Sequence, residues 1–502
     1  MPFENQSGSP GLEWIGESFP ELLGERLNSP SIFVVSREDR LRAYDRLGIP
    51  AGVHPSRATL YRVAEQLDVE YVVMGGYAFD GRTFTATAQL LDMRKEHLQP
   101  EASESGPLIQ LIDIQTRLAW NLLKELHAGL AMSREAYVAA APAIRLDAFE
   151  NYVRGSIASD SQDRIRRFRE ALRLNPEYPE AALKLGKTYY ADRQYDQAIA
   201  YLGRVPLEHP LARQANFYLG LAAYYRGDFA RAETAFGFVA SRLPLGEVYN
   251  NLGVVEARRG NRNAAEYFEM ALRADPSDPD YHFNLAVTLF RNDDLAGASR
   301  QAREALNLRP ADAEAKALAD QISSQAMARV QGSAAGPAKA PMERIRQNYE
   351  ENSFRQLALS LNAAAEQRLA TAEPRVHAQF HVDRGHELLT QGFVLEATRE
   401  FREAVSLDSA NAGAHAGLAR ALESSDDLAG ARAEAQAALT LRQFAEPWLV
   451  LARLDLRDNR TETAAEEADR ALRLEPGNGE AQALKRTIAA KLAEKAQPLP
   501  NR

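Results

Sequence analysis

Three stretches of the chain hold residue types whose spacing is associated with chemistry. The first is "GKT" at Gly186–Thr188, which resembles the end of a phosphate-binding loop, where backbone N–H groups cradle phosphate and the lysine pairs with it. That loop needs a glycine five positions before Gly186, and Ala181 stands there, so the match fails. The second is His377 and His381, spaced like two metal ligands on one helical face. His381, however, lies four positions before a small residue, Gly385, just as His282 and His415 lie four before Ala286 and Ala419. A slot shared by recurring units points to packing rather than to a metal. The third is Gly75-Gly76 together with the loop "NQSGSP" at 5–10, readable as a ligand-contacting loop. Glycine that relieves crowding in a strand, and a loop that caps the following helix, account for the same residues. There is no cysteine, which excludes disulfides, thiol nucleophiles and cysteine metal sites. With no nucleophile–base order, metal cluster or phosphate loop, the sequence reads as a non-enzyme with no cofactor and no metal.

The elements that would hold any site are those of an ordinary folded chain. The 502 residues are 45% hydrophobic and 26% charged. A net charge of −9 argues against nucleic acid as the partner, because phosphate binding needs a basic face. No apolar run is long enough for a transmembrane segment, and the start "MPFENQSGSP" does not read as a signal peptide.

The strongest pattern is a ladder. Prolines at Pro176, Pro210, Pro244, Pro276 and Pro310 step by 34, 34, 32 and 34 residues. Ala171, Val205, Val239, Ala271 and Ala305 precede them by five positions, and Gly186, Gly220, Gly253 and Ala286 keep nearly the same spacing. A repeat of this length predicts a helical array, in which each unit buries its apolar stripe only by stacking on its neighbours. The small residues let paired helices approach, and Leu185, Leu219, Leu252, Phe236 and Phe268 fill the space between them. A degenerate unit at 149–176 opens the array, with Val153 at the small position.

The segments "NFYLGLAAYYRGDFARAETAFGFVASRLP" (216–244) and "HFNLAVTLFRNDDLAGASRQAREALNLRP" (282–310) resemble the tetratricopeptide repeat, a pair of antiparallel helices per unit. The resemblance implies a concave face lined by the first helix of each unit. Carried over residue by residue, its slots hold Lys187 and Tyr190, then Phe217, Tyr218, Leu221, Tyr224 and Tyr225. The following units supply Asn250, Asn251, Val254 and Arg258, then Phe283, Asn284, Val287, Phe290 and Arg291. Aromatic rings with interspersed amides suit a peptide, the rings burying its side chains and the amides satisfying its backbone. Packing between repeats is the alternative role for the same rings. The two-lysine, two-asparagine clamp that the family uses for a terminal carboxylate is not reproduced.

Ahead of the array, residues 1–131 read as mixed α/β. Helices are expected over Trp14–Leu27, Arg37–Leu47, Ser56–Leu67 and Leu108–Leu126, and strands over Ser31–Ser36, Tyr71–Phe79 and Thr83–Met93. Asp80-Gly81 is expected to turn the last two strands. "PFENQSGSPGLEWIGESF" (2–19), "AEQLDVEYVVMGGY" (64–77) and "TATAQLLD" (85–92) resemble the amino-terminal α/β domain of TolB-like envelope proteins, which also precedes tetratricopeptide arrays in bacterial chains. That family places an apolar strand before the Pro-Phe, so the resemblance implies either a start upstream of Met1 or a missing edge strand. It also implies a periplasmic or envelope-associated setting.

The fold class expected is therefore mainly α, a tetratricopeptide α-solenoid in two arrays preceded by a small mixed α/β domain. The divisions are 1–131, a first array at 145–329, a linker at 330–341 rich in Gly, Ala and Pro, a helical connector at 342–373 with helices near 343–350 and 354–371, and a second array at 374–496. In the second array the slots Val382, His386, Arg420, Arg453 and Arg457 are more basic and suit an acidic peptide. The function expected is a scaffold that binds protein or peptide segments through its concave faces. The alternative is a sensor whose α/β domain binds a small molecule while the arrays relay the change.

Overall fold

The computed structural model describes residues 1–7, 10–28, 32–50, 56–126, 133–261, 263–332, 340–356, 369, 372–390, 394–425 and 427–496. The chain divides into two compact units, Met1–Phe354 and Arg355–Arg502.

The first unit opens with a small sheet. Strand β1 (Glu4–Asn5) pairs parallel with β2 (Tyr71–Phe79), and β2 pairs antiparallel with β3 (Phe84–Asp92). Strand β3 also pairs with β4 (His97–Leu98) and β5 (Ala102–Gly106), short strands that sequence periodicity did not reveal. Helices α1 (Trp14–Leu27), α2 (Arg37–Arg46), α3 (Arg57–Gln66) and α4 (Leu111–Leu126) stand where they were expected. Ser36 and Ser56 cap α2 and α3 by accepting from Asp39 N and Thr59 N.

Two local expectations change. The strand over 31–36 reduces to one bridge at Ile32, with Ser31 outside the described residues. Val34 instead packs on the core beside Gly24 of α1, so the apolar run finds a helix and no ladder. The hairpin turns on Gly81 and Arg82 rather than Asp80-Gly81. Gly81 takes the left-handed conformation at φ +91°, and Asp80 Oδ1 accepts from the Arg82 and Thr83 amides. Gly75 and Gly76 relieve crowding: a Cβ on Gly75 would lie 2.3 Å from the Phe3 ring, and one on Gly76 2.4 Å from Gln6 Nε2.

The module and the array share one core. Trp14 meets Phe149 edge to face at 6.3 Å, and Tyr152 Oη donates to Glu21 Oε2 at 2.7 Å. After the short α5 (Arg134–Ala139) come five antiparallel pairs. These are α6 (Leu146–Ile157) with α7 (Ser161–Leu174), α8 (Pro179–Ala191) with α9 (Tyr195–Leu202), and α10 (Ala212–Arg226) with α11 (Phe229–Ala240). The last two are α12 (Gly246–Arg259) with α13 (Ala264–Ala274) and α14 (Pro279–Arg291) with α15 (Leu295–Leu308). Helix α16 (Ala313–Val330) packs against α15. Each ladder proline falls between one pair and the next, where a residue lacking an N–H costs no helical hydrogen bond.

Four of the five pairs close on a glycine, three of them against a phenyl ring and α8–α9 with Leu202 against Gly186. A Cβ at Gly220 would lie 2.8 Å from the Phe236 ring, and at Gly253 2.7 Å from the Phe268 ring. In the degenerate first pair the residue against Phe168 is Gly155, not Val153. Helix α6 ends at Ile157, two residues past Gly155, whereas α10 runs six past Gly220, so the ring of the second helix meets a residue nearer the turn.

Beyond α16 the chain is extended over 340–350, and a helix, α17, begins at 351 and is described to 356. The helix expected near 343–350 is absent, because the backbone groups of this stretch bond to side chains of the array instead of to one another. Of the helix expected over 354–371, most lies outside the described residues.

The second unit holds α18 (Pro374–Thr390) with α19 (Val394–Leu407), α20 (Ala412–Ser424) with α21 (Leu428–Leu441), and α22 (Ala445–Arg457) with α23 (Thr461–Leu474), followed by α24 (Gly479–Ala496). The histidine slot is polar, not simply bulky. His381 Nδ1 pairs with Glu400 Oε2 at 2.7 Å and His415 Nδ1 with Glu434 Oε2 at 2.6 Å, each tying the first helix of a pair to the second. In the first array His282 meets Gln301 in the same way, at 2.7 Å. In the last pair Trp448 occupies the histidine position, and the equivalent acid, Glu467, is buried with its Oε2 unpartnered. Burial, and then the charge of Asp455, push the Glu467 carboxyl up from 4.5 to about 7.

Gly220→Leu is expected to overpack α10 against α11 and to cost about 1–3 kcal/mol in urea unfolding, and unchanged stability would show that the glycine–ring contact does not set the pair. Glu467 binds its proton more tightly folded than unfolded. Its contribution is complete below pH ~4.5 and lost as pH rises through ~7. Glu467→Gln should therefore raise the melting temperature over wild type at pH 8, by a margin that shrinks at pH 5. A margin independent of pH would refute the orphaned-acid account.

Candidate functional site

The concave face of the first array carries a segment of the chain itself. Residues 341–351 run across it in the direction opposite to the repeats, from α14 past α12 to α10. Three asparagines hold the main chain. Asn284 Oδ1 accepts from Arg344 N at 2.7 Å, and its Nδ2 donates to Arg344 O at 2.8 Å. One repeat back, Asn251 Oδ1 accepts from Arg346 N at 2.7 Å and its Nδ2 donates to Arg346 O at 2.8 Å. Asn250 Nδ2 donates to Arg344 O at 2.9 Å, and its Oδ1 accepts from Asn284 Nδ2 at 2.7 Å. A side-chain amide presents one acceptor and a donor, as a peptide group does, so Asn251 and Asn284 stand in for a neighbouring strand. All three asparagines are fully buried, where an unpaired amide would be costly. Their bonding to a backbone is what makes their position tolerable.

Side chains of the segment alternate between two environments. Glu343 is buried between Arg291 and Arg258, and Arg291 also donates to Pro341 O at 2.6 Å. Arg344 lies 3.7 Å over the Phe283 ring and pairs with Asp280 at 2.8 Å, Asp312 at 2.6 Å and Glu314 at 2.7 Å. Arg346 pairs with Asp278 and, at 3.1 Å, with Asp280. Hydrogen bonds from Arg344 hold the Asp312 carboxyl down to about 2 against the opposing effect of burial. Ile345 packs on the apolar cluster of Val254, Ala264, Phe268 and Leu285, against which Tyr224 also packs. Further along, Gln347 Nε2 donates to Tyr225 Oη at 2.9 Å, Tyr349 lies 5.0 Å from the Phe217 ring, and Glu350 N donates to Glu247 Oε1 at 2.8 Å. Glu351 receives Arg213 at 2.6 Å.

The sixteen slot residues fall into three groups. Phe217, Tyr224, Tyr225, Asn250, Asn251, Arg258, Phe283, Asn284 and Arg291 face the segment. Leu221, Val254, Val287 and Phe290 are buried in the helix packing and line no open surface. Lys187, Tyr190 and Tyr218 form a separate patch toward the α/β module. There Lys187 Nζ lies 4.9 Å over Tyr218, and burial, then the charge of Lys184, lower its amine to about 8. Tyr190 packs against Tyr218, Tyr195 and Tyr225.

Arg213, Glu247 and Asp280 also touch the segment but were not among the slots read from sequence. Each stands four residues before a slot residue, Phe217, Asn251 and Asn284 respectively. Helical periodicity therefore places them on the same face one turn earlier, and that signal was available in the sequence. The basic slots of the second array are partly neutralised from within: Arg453 is held by Glu423 at 2.6 Å and Glu480 at 2.8 Å, and Val382 is buried in the core. The acidic-peptide expectation there loses Arg453.

Stacked antiparallel helix pairs with a lined inner face define an α-solenoid. The repeats are tetratricopeptide repeats: that family matches residues 163–218, and a second tetratricopeptide repeat profile matches 219–270, 254–315 and 382–446. Solved structures similar to parts of the chain include MamA, at 22% identity over 31% of this chain and 92% of that one, with a TM-score of 0.30. Another is the first TPR of Spaghetti (RPAP3) bound to an HSP90 peptide, at 24% identity over 24% and 95%, with a TM-score of 0.23. A third is a tetratricopeptide repeat protein from Parabacteroides merdae, at 12% identity over 62% and 98%, with a TM-score of 0.27. No curated protein sequence matches this one. No helix among the described residues is long and apolar enough to cross a membrane.

If the asparagines hold the segment, Asn251→Ala with Asn284→Ala should release it and speed tryptic cleavage after Arg344 and Arg346 by about tenfold or more, since each lost buried hydrogen bond is worth about 1 kcal/mol. Mass spectrometry of timed digests reads this directly. Cleavage at the wild-type rate would mean that the backbone bonds do not retain it.

Proposed function

We propose that this protein is a non-enzymatic scaffold whose first array binds protein segments in extended conformation. The observation that carries the reading is the pair of bidentate amide–backbone contacts at Asn251 and Asn284, a geometry that suits any extended peptide whatever its side chains. The repeats are interaction modules as a class. We further place the scaffold in a bacterial envelope complex. Support for this comes from the TolB-like resemblance of residues 1–95 together with an α/β order of elements in that stretch.

A second reading keeps the scaffold and adds a sensor. Trp14 against Phe149 and Tyr152 on Glu21 join the α/β module to the first helix pair, so a small molecule that shifted α1 would act on the array directly. Thermal-shift screening of the full chain discriminates, because a specific ligand raises the melting temperature by mass action. A metabolite library that produces no shift would remove it.

The scaffold reading predicts that peptides selected by display on the full chain bind Asn251→Ala/Arg291→Ala about tenfold or more weakly, provided the variant keeps its helical circular dichroism. Peptides that bind both proteins equally would place recognition elsewhere.

A further inference from the structure

The side chains of 341–351 meet a surface complementary to them, which the backbone contacts alone do not require. Acidic Glu343 enters between two arginines. Arg344 and Arg346 face Asp278, Asp280, Asp312 and Glu314. Tyr349 packs at a tilt against Phe217, and Glu351 meets Arg213. The arrangement therefore selects a sequence as well as a conformation.

We propose that the concave face of the first array is a site for an extended partner segment of the pattern Glu-Arg-apolar-Arg, followed three residues after the second arginine by an aromatic and two further on by an acid. We propose also that residues 341–351 fill this site in cis as a pseudo-ligand. The proposal rests on the scaffold reading and gives it a partner chemistry and a means of control. The contacts themselves favour exchange over permanent attachment. Apart from Ile345 and Tyr349 the segment is held by hydrogen bonds and ion pairs, each of which a second peptide of the same pattern would reproduce. Met342, Gln347, Asn348 and Glu350 are exposed, so the segment does not cover the groove with an apolar core of its own. A tethered occupant competes at an effective concentration in the millimolar range, and a partner's apparent affinity falls by the fraction of time the groove is closed. Binding in trans then requires a partner presented at high local density, or a change that weakens the tether.

The test uses the full chain and a fluorescent peptide with the sequence of residues 340–352. Glu343→Ala/Arg344→Ala, which weakens the internal segment and leaves the array untouched, should bind the peptide at least about tenfold more tightly than wild type. Adding Arg291→Glu should abolish the gain, and a scrambled peptide should not bind. A folded Glu343→Ala/Arg344→Ala chain that binds no better than wild type, or binds the scrambled peptide equally, overturns the proposal. If that variant does not fold, wild type still decides the matter. Excess unlabelled peptide should accelerate hydrogen exchange at the Arg344, Arg346 and Glu350 amides of an isotope-labelled chain. No acceleration at saturating peptide would show that 341–351 is a fixed part of the fold. Display-selected peptides that bind the groove but lack this pattern would leave the scaffold reading intact and remove only this one.

Discussion

Everything the first unit presents depends on how closely the two helices of a repeat approach, and in three of the five pairs of its array one kind of contact sets that distance. A phenyl ring from the second helix rests where the first helix has no side chain: Phe236 on Gly220, Phe268 on Gly253, Phe168 on Gly155. The same contact recurs in the second unit, with Phe401 on Gly385. Interiors are packed too densely to absorb even a methyl at such a point, so the contact fixes the geometry of the pair rather than merely filling it. Leu221, Val254, Val287 and Phe290 are buried in the packing of the helices, and the remaining faces of α10, α12 and α14 line a common surface.

That surface is polar to an unusual depth. Asn250, Asn251 and Asn284 are fully buried, and buried amides without partners would undermine the array. They are satisfied by a backbone that belongs to no repeat. Around them the charges are sorted, with Arg258 and Arg291 on one side of the segment and Asp278, Asp280, Asp312 and Glu314 on the other. The sorting sets the acid at Glu343 against arginines, and Arg344 and Arg346 against acids. The second array solves a comparable problem internally, tying helix to helix with His381–Glu400 and His415–Glu434. Where Trp448 replaces the histidine, Glu467 is left buried without a hydrogen bond at Oε2, and its raised pKa follows directly.

Much of this was legible in residue order. Proline and small-residue spacing located the helix pairs, because packing at 34-residue intervals leaves a periodic trace in side-chain size. Helical periodicity placed α1 to α4. The slots that resemble the tetratricopeptide family named Asn251 and Asn284, and periodicity alone would have extended the face to Arg213, Glu247 and Asp280. Other features left no such trace. Residues 343–350 carry helix-forming side chains, and their local propensity points the wrong way. The apolar run at Ile32–Val34 looks like a strand, yet a strand exists only where a second edge offers it partners. Fixed spacing puts the tight position at Val153, but α6 ends two residues past Gly155, and a helix that stops early is invisible to fixed spacing.

The sequence by itself determined that the chain is built from stacked helix pairs and where each pair begins and ends. These are consequences of side-chain size and of a 3.6-residue period, properties of the chain taken one stretch at a time. Only the tertiary structure decided what the inner face touches. Asn284 and Arg344 are 60 residues apart, and Arg213 and Glu351 138. No local rule connects positions that far removed. Their meeting follows from the stacking of successive repeats, which brings α14, α12 and α10 alongside one segment of the same chain, residues 341–351.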